Sequence, residues 1–314
     1  MSPSPQHASL PRPRRIPWLN VGLFLATVAT TLWAGAFMAG EQSWNVWSIV
    51  KSGWTFSLPL ILALGTHEMG HFLVARRHGL YPSWPFFIPA PTFFGTFGAV
   101  IRMRFVVPPT RAQLFDVGIA GPLAGFVVSV ACLFLGARWS TVELELTSLE
   151  TYSLAQATGY WLSTGSAEWF GRVLGGHYLV LGDSLLVQFL IWAATGDAAA
   201  NTVLHPVAFA GWVGLFVTML NLMPVGQLDG GHVAYALLGR HFRWMPRVVI
   251  PLLLVLGFVG WPGWFVWAGL VAFIGAGHPP ASGEALGRGR LLLAWVCLII
   301  FVLIFTPVPF ATAW

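Results

Sequence analysis

Residues 60–75 read LILALGTHEMGHFLVA, an apolar run interrupted by two histidines and a glutamate. In an α-helix, residues four positions apart share one face, so His67 and His71 can direct their imidazoles at one metal ion. Glu68 would lie beside that metal, where a carboxylate can act as a general base toward water. Ionisable groups at membrane depth are costly and mark functional sites. The stretch therefore predicts a metal-dependent hydrolase site within a membrane helix.

The composition is that of a polytopic membrane protein. Hydrophobic residues make up 56% of the chain and charged residues 9%, against roughly a quarter charged in soluble domains. The arginines occur in clusters that border apolar runs, which indicates anchors at a membrane surface rather than a nucleic-acid interface. The predicted partners therefore include a lipid bilayer and no nucleic acid.

Several apolar segments approach the ~20 residues that a membrane helix needs. They lie at about 17–40, 54–75, 114–137, 203–224, 247–260, 262–276 and 290–306. A further apolar stretch, 185–195, is too short to span and is predicted to be re-entrant or interfacial. The expected fold is an all-α polytopic membrane protein with about six to eight transmembrane helices.

The charged residues predict the domain organisation and the orientation in the membrane. Arg12, Arg14 and Arg15 precede the first apolar segment, and Arg76 and Arg77 follow the second. Basic residues favour the cytoplasmic side, so residues 1–16 form a predicted disordered cytoplasmic tail and the His pair lies near the cytoplasmic end of its helix. Residues 17–306 are interpreted as one integral-membrane domain with a catalytic core at about 54–240, and residues 307–314 as a C-terminal tail. The acidic segment 138–184 is consistent with a loop on the opposite side.

The segment after the His pair does not continue as a helix. Pro82, Pro85, Pro89 and Pro91 exclude an uninterrupted helix, and residues 95–105 alternate with β-favouring side chains. This pattern fits a membrane-associated β-hairpin or loop whose edge pairs with an extended peptide. An ordinary amphipathic connector is an equally good interpretation of the sequence.

A catalytic zinc site generally uses three protein ligands, so a third group is needed. Among the acidic residues, Glu68, Asp116 and Asp229 are the ones within or bordering apolar segments. Asp229 follows the 203–224 segment at its cytoplasmic end, so it reaches the same membrane depth as the two histidines. Asp229 is therefore a candidate third ligand.

Three motifs in this order resemble the site-2 protease family of intramembrane zinc metalloproteases. They are the HEMGH pentapeptide, Ala120-Gly121-Pro122-Leu123-Ala124-Gly125, and the block from Asn221 to Asp229-Gly230. The stretch from His67 to Gly125 is similar to the subgroup from bacteria, cyanobacteria and plastids. The resemblance covers about residues 55–240, and the C-terminal helices share only hydropathy with the family.

The resemblance implies specific roles for these residues. His67, His71 and Asp229 would ligate one zinc ion per chain, and Glu68 would be the general base. Asn221 would lie near the metal, where an amide can hold the substrate backbone or stabilise an oxyanion. A helix-end amide that bonds to its own backbone is the simpler alternative for Asn221.

Other polar and small residues have simpler interpretations. His232 is either a second group behind the ligands or a solvated histidine at a helix start, and His205 is interpreted as interfacial. The position of Asp116 in a first helical turn is explained by interaction with the helix N-terminus. Gly121 and Gly125 are expected to permit close helix packing.

The resemblance implies an intramembrane zinc endopeptidase that cuts transmembrane segments of other membrane proteins, in the bacterial inner membrane, during regulated intramembrane proteolysis. One alternative is a transporter or metal carrier that uses the His, Glu and Asp groups as an ion path. Another is an inactive scaffold, which would be expected to lose a ligand or the glutamate. The substrate, the oligomeric state and the path of substrate entry are left open.

Overall fold

A computed structural model describes most of the 314-residue chain. The described residues are 17–42, 44–104, 108–142, 151, 153–168, 173, 178–197, 202–274 and 281–313. The predicted N-terminal tail, residues 1–16, lies outside them. So do Phe105, at the end of the predicted hairpin, and the acidic residues Glu143, Glu145 and Glu150 of the 138–184 segment.

The fold is built mainly from apolar helices. In the described part of the chain these are α1 (Trp18–Met38), α2 (Val46–Arg77), α3 (Arg111–Ala137), α4 (Leu154–Thr164), α5 (Leu185–Thr195), α6 (Pro206–Asn221), α7 (Asp229–Leu238), α8 (Met245–Val259), α9 (Gly263–Ile274) and α10 (Arg288–Ile304). A short 3₁₀ turn, Gly239–Trp244, joins α7 to α8.

Four helical segments among the described residues are long and apolar enough to cross a membrane. They are Trp18–Met38, Val46–Arg77, Arg111–Ala137 and Asp229–Val259, while α5, α6 and α9 are apolar but shorter. Helix α6 is shorter than the predicted 203–224 segment because Pro206 begins it and the chain turns before Pro224. The arrangement confirms the predicted all-α polytopic membrane fold, although four segments of spanning length are found among the described residues, against the predicted six to eight transmembrane helices.

Helix α3 lies at the centre and contacts α2, α6 and α7. It begins with a capping box in which Thr110 and Gln113 exchange side-chain and backbone hydrogen bonds. Close approach of helices depends on small residues, because a Cβ atom at Gly70 of α2 would collide with the Ala120 carbonyl of α3. A Cβ at Gly211 of α6 would likewise contact the α3 backbone. The three helices therefore form one tightly packed unit.

The segment between α2 and α3 forms the predicted hairpin. Strands β2 (Phe86–Pro89) and β3 (Thr96–Val100) pair antiparallel with a register irregularity, and β1 (Tyr81–Pro82) pairs with β4 (Met103–Arg104). Helix α1 holds this hairpin, since Asn20 Nδ2 donates to the carbonyls of Trp84 and Pro85 at 2.9 Å. The hairpin interpretation of residues 80–109 is thus confirmed for the described residues.

Two small sheets lie away from the hairpin. Strand β5 (Thr141–Val142) pairs with β7 (Thr202–Val203), and β6 (Tyr178–Leu181) pairs with β8 (Phe310–Ala313). The residues interpreted as a C-terminal tail thus include a strand. Phe310 packs edge-on against Trp212 of α6, whose indole N–H donates to the Gly182 carbonyl. This contact joins the end of the chain to the helical core.

Candidate metal centre

Helix α2 places His67, Glu68 and His71 in the interior. Their exposed fractions are 4%, 5% and 6%, so all three are nearly removed from solvent. The imidazole Nε2 atoms of His67 and His71 lie 3.1 Å apart, as the i and i+4 spacing predicts for one helix face. Three buried ionisable groups on neighbouring turns need either a partner or a metal to offset their desolvation.

Asp229, the first residue of α7, completes with the two histidines a triangle of atoms that could hold a metal ion. Its Oδ2 atom lies 3.2 Å from His67 Nε2 and 3.3 Å from His71 Nε2. Tetrahedral zinc with bonds of about 2.0–2.1 Å sets its ligand atoms about 3.3 Å apart. The three separations of 3.1 to 3.3 Å therefore fit three corners of a zinc tetrahedron. Among the histidines, cysteines and acidic residues that the structure describes, His67, His71 and Asp229 form the group of three that lie close enough together to hold a metal ion.

Two glycines of α3 make room for the imidazoles. A Cβ atom at Gly121 would collide with the His71 ring, and one at Gly125 would lie 3.0 Å from His67 Cβ. The predicted close packing at Gly121 and Gly125 is confirmed, and the structure shows what the space contains. The two glycines leave room for the side chains of His67 and His71 as well as for the facing helix.

The carbonyl of Val117 on α3 orients His71. It lies 2.7 Å from His71 Nδ1, so the ring donates Nδ1–H to it and directs Nε2 at the cluster. The sequence motifs do not predict this contact, because a backbone carbonyl carries no side-chain signal. It is a typical supporting hydrogen bond for a histidine ligand.

Asn221 ends α6 beside the cluster, with its side-chain Nδ2 3.3 Å from His67 Nε2. The loop from Leu222 to Leu228 then brings the chain back to Asp229. Two glycines allow this return. A Cβ at Gly230 would collide with the Leu222 carbonyl, and one at Gly231 would lie 2.5 Å from the Gly226 carbonyl. The Asn221-to-Gly231 block thus forms one compact unit that delivers an amide and a carboxylate to the same place.

Glu68 lies next to the cluster but is not one of its three ligand atoms. Its carboxyl group is buried and interacts electrostatically with His71 and Asp229. The position combines a carboxyl group near the cluster with little access to bulk water. Such a group is placed to exchange a proton with a molecule held at the cluster.

The remaining candidates lie elsewhere. Asp116 requires a correction, since its carboxylate does not simply face a helix N-terminus but pairs with Arg290 and His78. His205 caps α6 by accepting the Val207 N–H at 3.3 Å. His232 is half-buried and lines a cavity of about 220 Å³ beside the cluster.

That cavity lies between three elements that approach the site. Its walls include Ile101 and Met103 from the hairpin, Gln113 and Val117 from α3, and Gln227 before α7. Val117 is the residue whose carbonyl holds His71, so the cavity adjoins the metal centre. Polar and apolar groups both face it.

A membrane fold with two histidines and an acid on one helix, completed by a distant carboxylate, defines a class of proteins: the membrane-embedded zinc metalloproteases. The comparison with known families agrees over most of the chain. Residues 55–259 match Peptidase family M50, and the chain belongs to this family. The predicted resemblance and the assignment of zinc as the cofactor are thereby confirmed.

Curated relatives carry names of the same class. The probable zinc metalloprotease EGY1, chloroplastic, of Arabidopsis thaliana is 32% identical over 249 residues, 77% of this chain and 40% of the relative. The corresponding protein of Oryza sativa subsp. japonica is 30% identical over 245 residues, 77% of this chain and 38% of the relative. The probable zinc metalloprotease EGY2, chloroplastic, of Arabidopsis thaliana is 27% identical over 318 residues, which are 98% of this chain and 52% of the relative.

The chain thus spans between about two fifths and about half of the length of these relatives. No solved structure matches the chain significantly.

Proposed function

We propose that this protein is an intramembrane zinc endopeptidase that hydrolyses peptide bonds within transmembrane segments of other membrane proteins. The observation that carries the proposal is the triangle of His67, His71 and Asp229 beside the buried Glu68, set in apolar helices. A soluble substrate would not require a catalytic centre inside membrane-length helices. The family membership supports the same reaction class.

Each residue of the cluster has a proposed role. His67, His71 and Asp229 are the protein ligands, and the Val117 carbonyl keeps His71 in the ligating tautomer. Zinc, when bound, supplies Lewis acidity toward water and the scissile carbonyl. Glu68 accepts the proton from the attacking water and later donates it to the leaving amine nitrogen. The Asn221 amide is directed at the same space and donates to the developing oxyanion or the substrate backbone.

The hairpin is the proposed binding place for an unwound substrate. Strand β3 pairs with β2 along one edge, and two of its side chains are well exposed, Phe97 at 73% and Val100 at 49%. A peptide bond inside a membrane helix must lose its helical hydrogen bonds before hydrolysis. A strand edge offers replacement donors and acceptors at regular spacing. The adjoining cavity continues from the hairpin toward His71, which supports this route for the extended chain.

Cross-linking tests the hairpin role directly. A single cysteine at Phe97 or Val100, in a chain with Cys132 and Cys297 replaced by alanine, should cross-link to a substrate trapped by Glu68→Gln protein. Trp139→Cys is the control, because Trp139 is also exposed but lies at the far end of α3. Equal cross-linking from all three positions, or none from the hairpin, would make the hairpin a connector only.

The decisive test of the function is cleavage of a model transmembrane substrate by purified protein in detergent or vesicles. Glu68→Gln should retain zinc and lose cleavage, because the amide keeps the shape of the side chain but cannot accept a proton. Glu284→Gln serves as the matched control, since Glu284 is exposed in the segment before α10. Cleavage at the wild-type rate by Glu68→Gln protein would rule out the proposed base.

The membrane and the orientation also remain proposals. The arginines before α1 and at the end of α2 support a cytoplasmic N-terminus with the metal centre near that side, and the proposed location is the bacterial inner membrane. The named relatives are chloroplastic, so they support a membrane location in general and not this membrane. Protease accessibility of tags at the two termini of the chain in sealed membranes measures the orientation.

A further inference from the structure

The helix α10 (Arg288–Ile304) lies outside the family-matched residues 55–259, yet it is joined to the scaffold of the metal centre. Arg290 donates from Nε to Asp116 Oδ1 and from Nη2 to Asp116 Oδ2, both at 2.7 Å. His78, which caps the end of α2, has its Nε2 2.9 Å from Asp116 Oδ2. One carboxylate thus links the ends of α2, α3 and α10.

This network reaches a metal ligand through the chain itself. Asp116 is followed directly by Val117, whose carbonyl accepts from His71 Nδ1. A bidentate arginine–carboxylate pair fixes orientation as well as distance, because its two parallel hydrogen bonds permit one planar arrangement. We propose that Arg290 is a positioning residue, which acts through Asp116 to hold the Val117 carbonyl and hence the His71 ring toward zinc.

The segment before α10 is attached to the same place on α3. The Ser282 N–H donates to the Pro109 carbonyl at 3.0 Å, and the Ser282 carbonyl accepts from the Arg111 N–H at 2.9 Å. The chain therefore approaches Arg290 along the start of α3 rather than from a distance. Two backbone contacts at the start of α3 and the Arg290–Asp116 pair thus hold α10 and the segment before it against the first two turns of α3.

The first turn of α3 also holds the helix that carries Asp229. Arg111 donates from Nε to the Ala236 carbonyl at 2.8 Å and from Nη2 to the Leu237 carbonyl at 3.0 Å. These carbonyls end α7, which begins at Asp229. The first two turns of α3 therefore carry the groups that support both His71 and Asp229. Arg290 of α10, which lies outside the family-matched residues 55–259, pairs with this part of α3.

Orientation, rather than stability, is what Arg290 contributes. Its side chain is 37% exposed and that of Asp116 is 21% exposed, and partly exposed ion pairs add little to folding. The position of a histidine ligand, by contrast, is sensitive to small changes in the groups that hydrogen-bond to its other ring nitrogen. Loss of such a supporting contact weakens metal binding about 10- to 100-fold. A positioning role therefore predicts a larger effect on zinc than on thermal unfolding.

The test measures zinc affinity by competition with a chromophoric chelator, together with the visible spectrum of the cobalt-substituted protein. Arg290→Gln should bind zinc about tenfold more weakly and show an altered cobalt spectrum. Arg290→Lys should fall between this variant and wild type, because an ammonium keeps the charge but not the two parallel bonds. Arg288→Gln, an exposed arginine on the same turn, should match wild type.

A double variant tests whether the two side chains act together. Asp116→Asn combined with Arg290→Gln should bind zinc no more weakly than the weaker single variant. Additive losses, or a wild-type zinc affinity and cobalt spectrum for Arg290→Gln, would overturn the positioning role even if its melting temperature falls. If Arg290→Gln does not fold, the affinity and spectrum of Arg290→Lys decide in the same way.

The inference rests on the ligand set proposed above but not on proteolysis, so the two can fail separately. His71→Ala is the discriminating variant. Loss of zinc in His71→Ala with unchanged binding in the Arg290 variants would refute the positioning role alone. Full zinc binding by His71→Ala would refute the ligand set and the positioning role together.

Discussion

Substitution of Gly121 by alanine tests the geometry of the candidate metal centre. Gly121 packs against the His71 ring but is not itself one of the three residues that could hold the metal. The added Cβ would collide with the His71 ring. Helix α3 cannot retreat freely, since it also packs closely on α6, where a Cβ at Gly211 would already collide with the backbone of Ser129 and Leu133. The ring of His71 must therefore move and lose its hydrogen bond to Val117.

The magnitude follows from that displacement. A buried donor left without its acceptor costs about 1–3 kcal/mol. Displacement of a ligand behind which a supporting bond is lost reduces metal affinity about 10- to 100-fold, equivalent to about 1.4–2.7 kcal/mol. Gly121→Ala is therefore expected to weaken zinc binding at least tenfold and to reduce cleavage of a transmembrane substrate accordingly.

Chelator competition measures the zinc affinity, and thermal unfolding shows whether the variant remains folded. Gly22→Ala on α1 is the control, because nothing lies within 4 Å of the added Cβ. Alanine favours a helix over glycine by up to about 1 kcal/mol, so this control should be neutral or slightly stabilised. Wild-type zinc affinity in Gly121→Ala protein would refute the collision argument and the position assigned to His71.

Three further results are expected. Asp229→Ala should lose most of its zinc in metal analysis, whereas full retention would remove Asp229 from the ligand set. Asn221→Ala should lower kcat about 10²- to 10³-fold with zinc nearly unchanged, and an equal loss of zinc would make Asn221 a support for His67 instead. Burial raises the pKa of Asp183, which lies in the turn before α5, to about 6. Because its pKa is higher in the folded state, the stability of the wild-type protein should fall as the pH rises from about 4 to about 6, by about 3 kcal/mol. Asp183→Asn should abolish this slope in thermal unfolding, and an identical slope in both proteins would exclude Asp183 as its source.

Local pattern was sufficient for the features that depend on neighbours in the chain. The low charge and long apolar runs determined a membrane fold, because the bilayer requires internally bonded helices. Helical periodicity put His67 and His71 on one face, and the imidazole nitrogens lie 3.1 Å apart. The prolines after α2 excluded a further helix, and the hairpin fills that segment.

The order of the motifs along the chain predicted a part of the site, Asp229, that helical periodicity could not predict. Asp229 lies 229 − 71 = 158 residues after His71, and no local rule joins the two. Membrane depth and the Asn221-to-Asp229 block nevertheless indicated the pairing that the structure shows. For Gly121 and Gly125 of α3, the sequence predicts only close helix packing. Their contacts with ligand rings and carbonyls depend on the approach of separate helices.

Only the tertiary structure decided the contacts that support the ligands. The Val117 carbonyl has no side-chain signature, and its role follows from the way α3 crosses α2. Asp116 looked like a helix-start residue from its local sequence, whereas its partner Arg290 lies 174 residues away. The sequence by itself determined the membrane class and the shared helix face of His67 and His71, because these follow from composition and helical spacing. Helix packing alone decided what holds those residues in place, because it brings together groups that are distant along the chain.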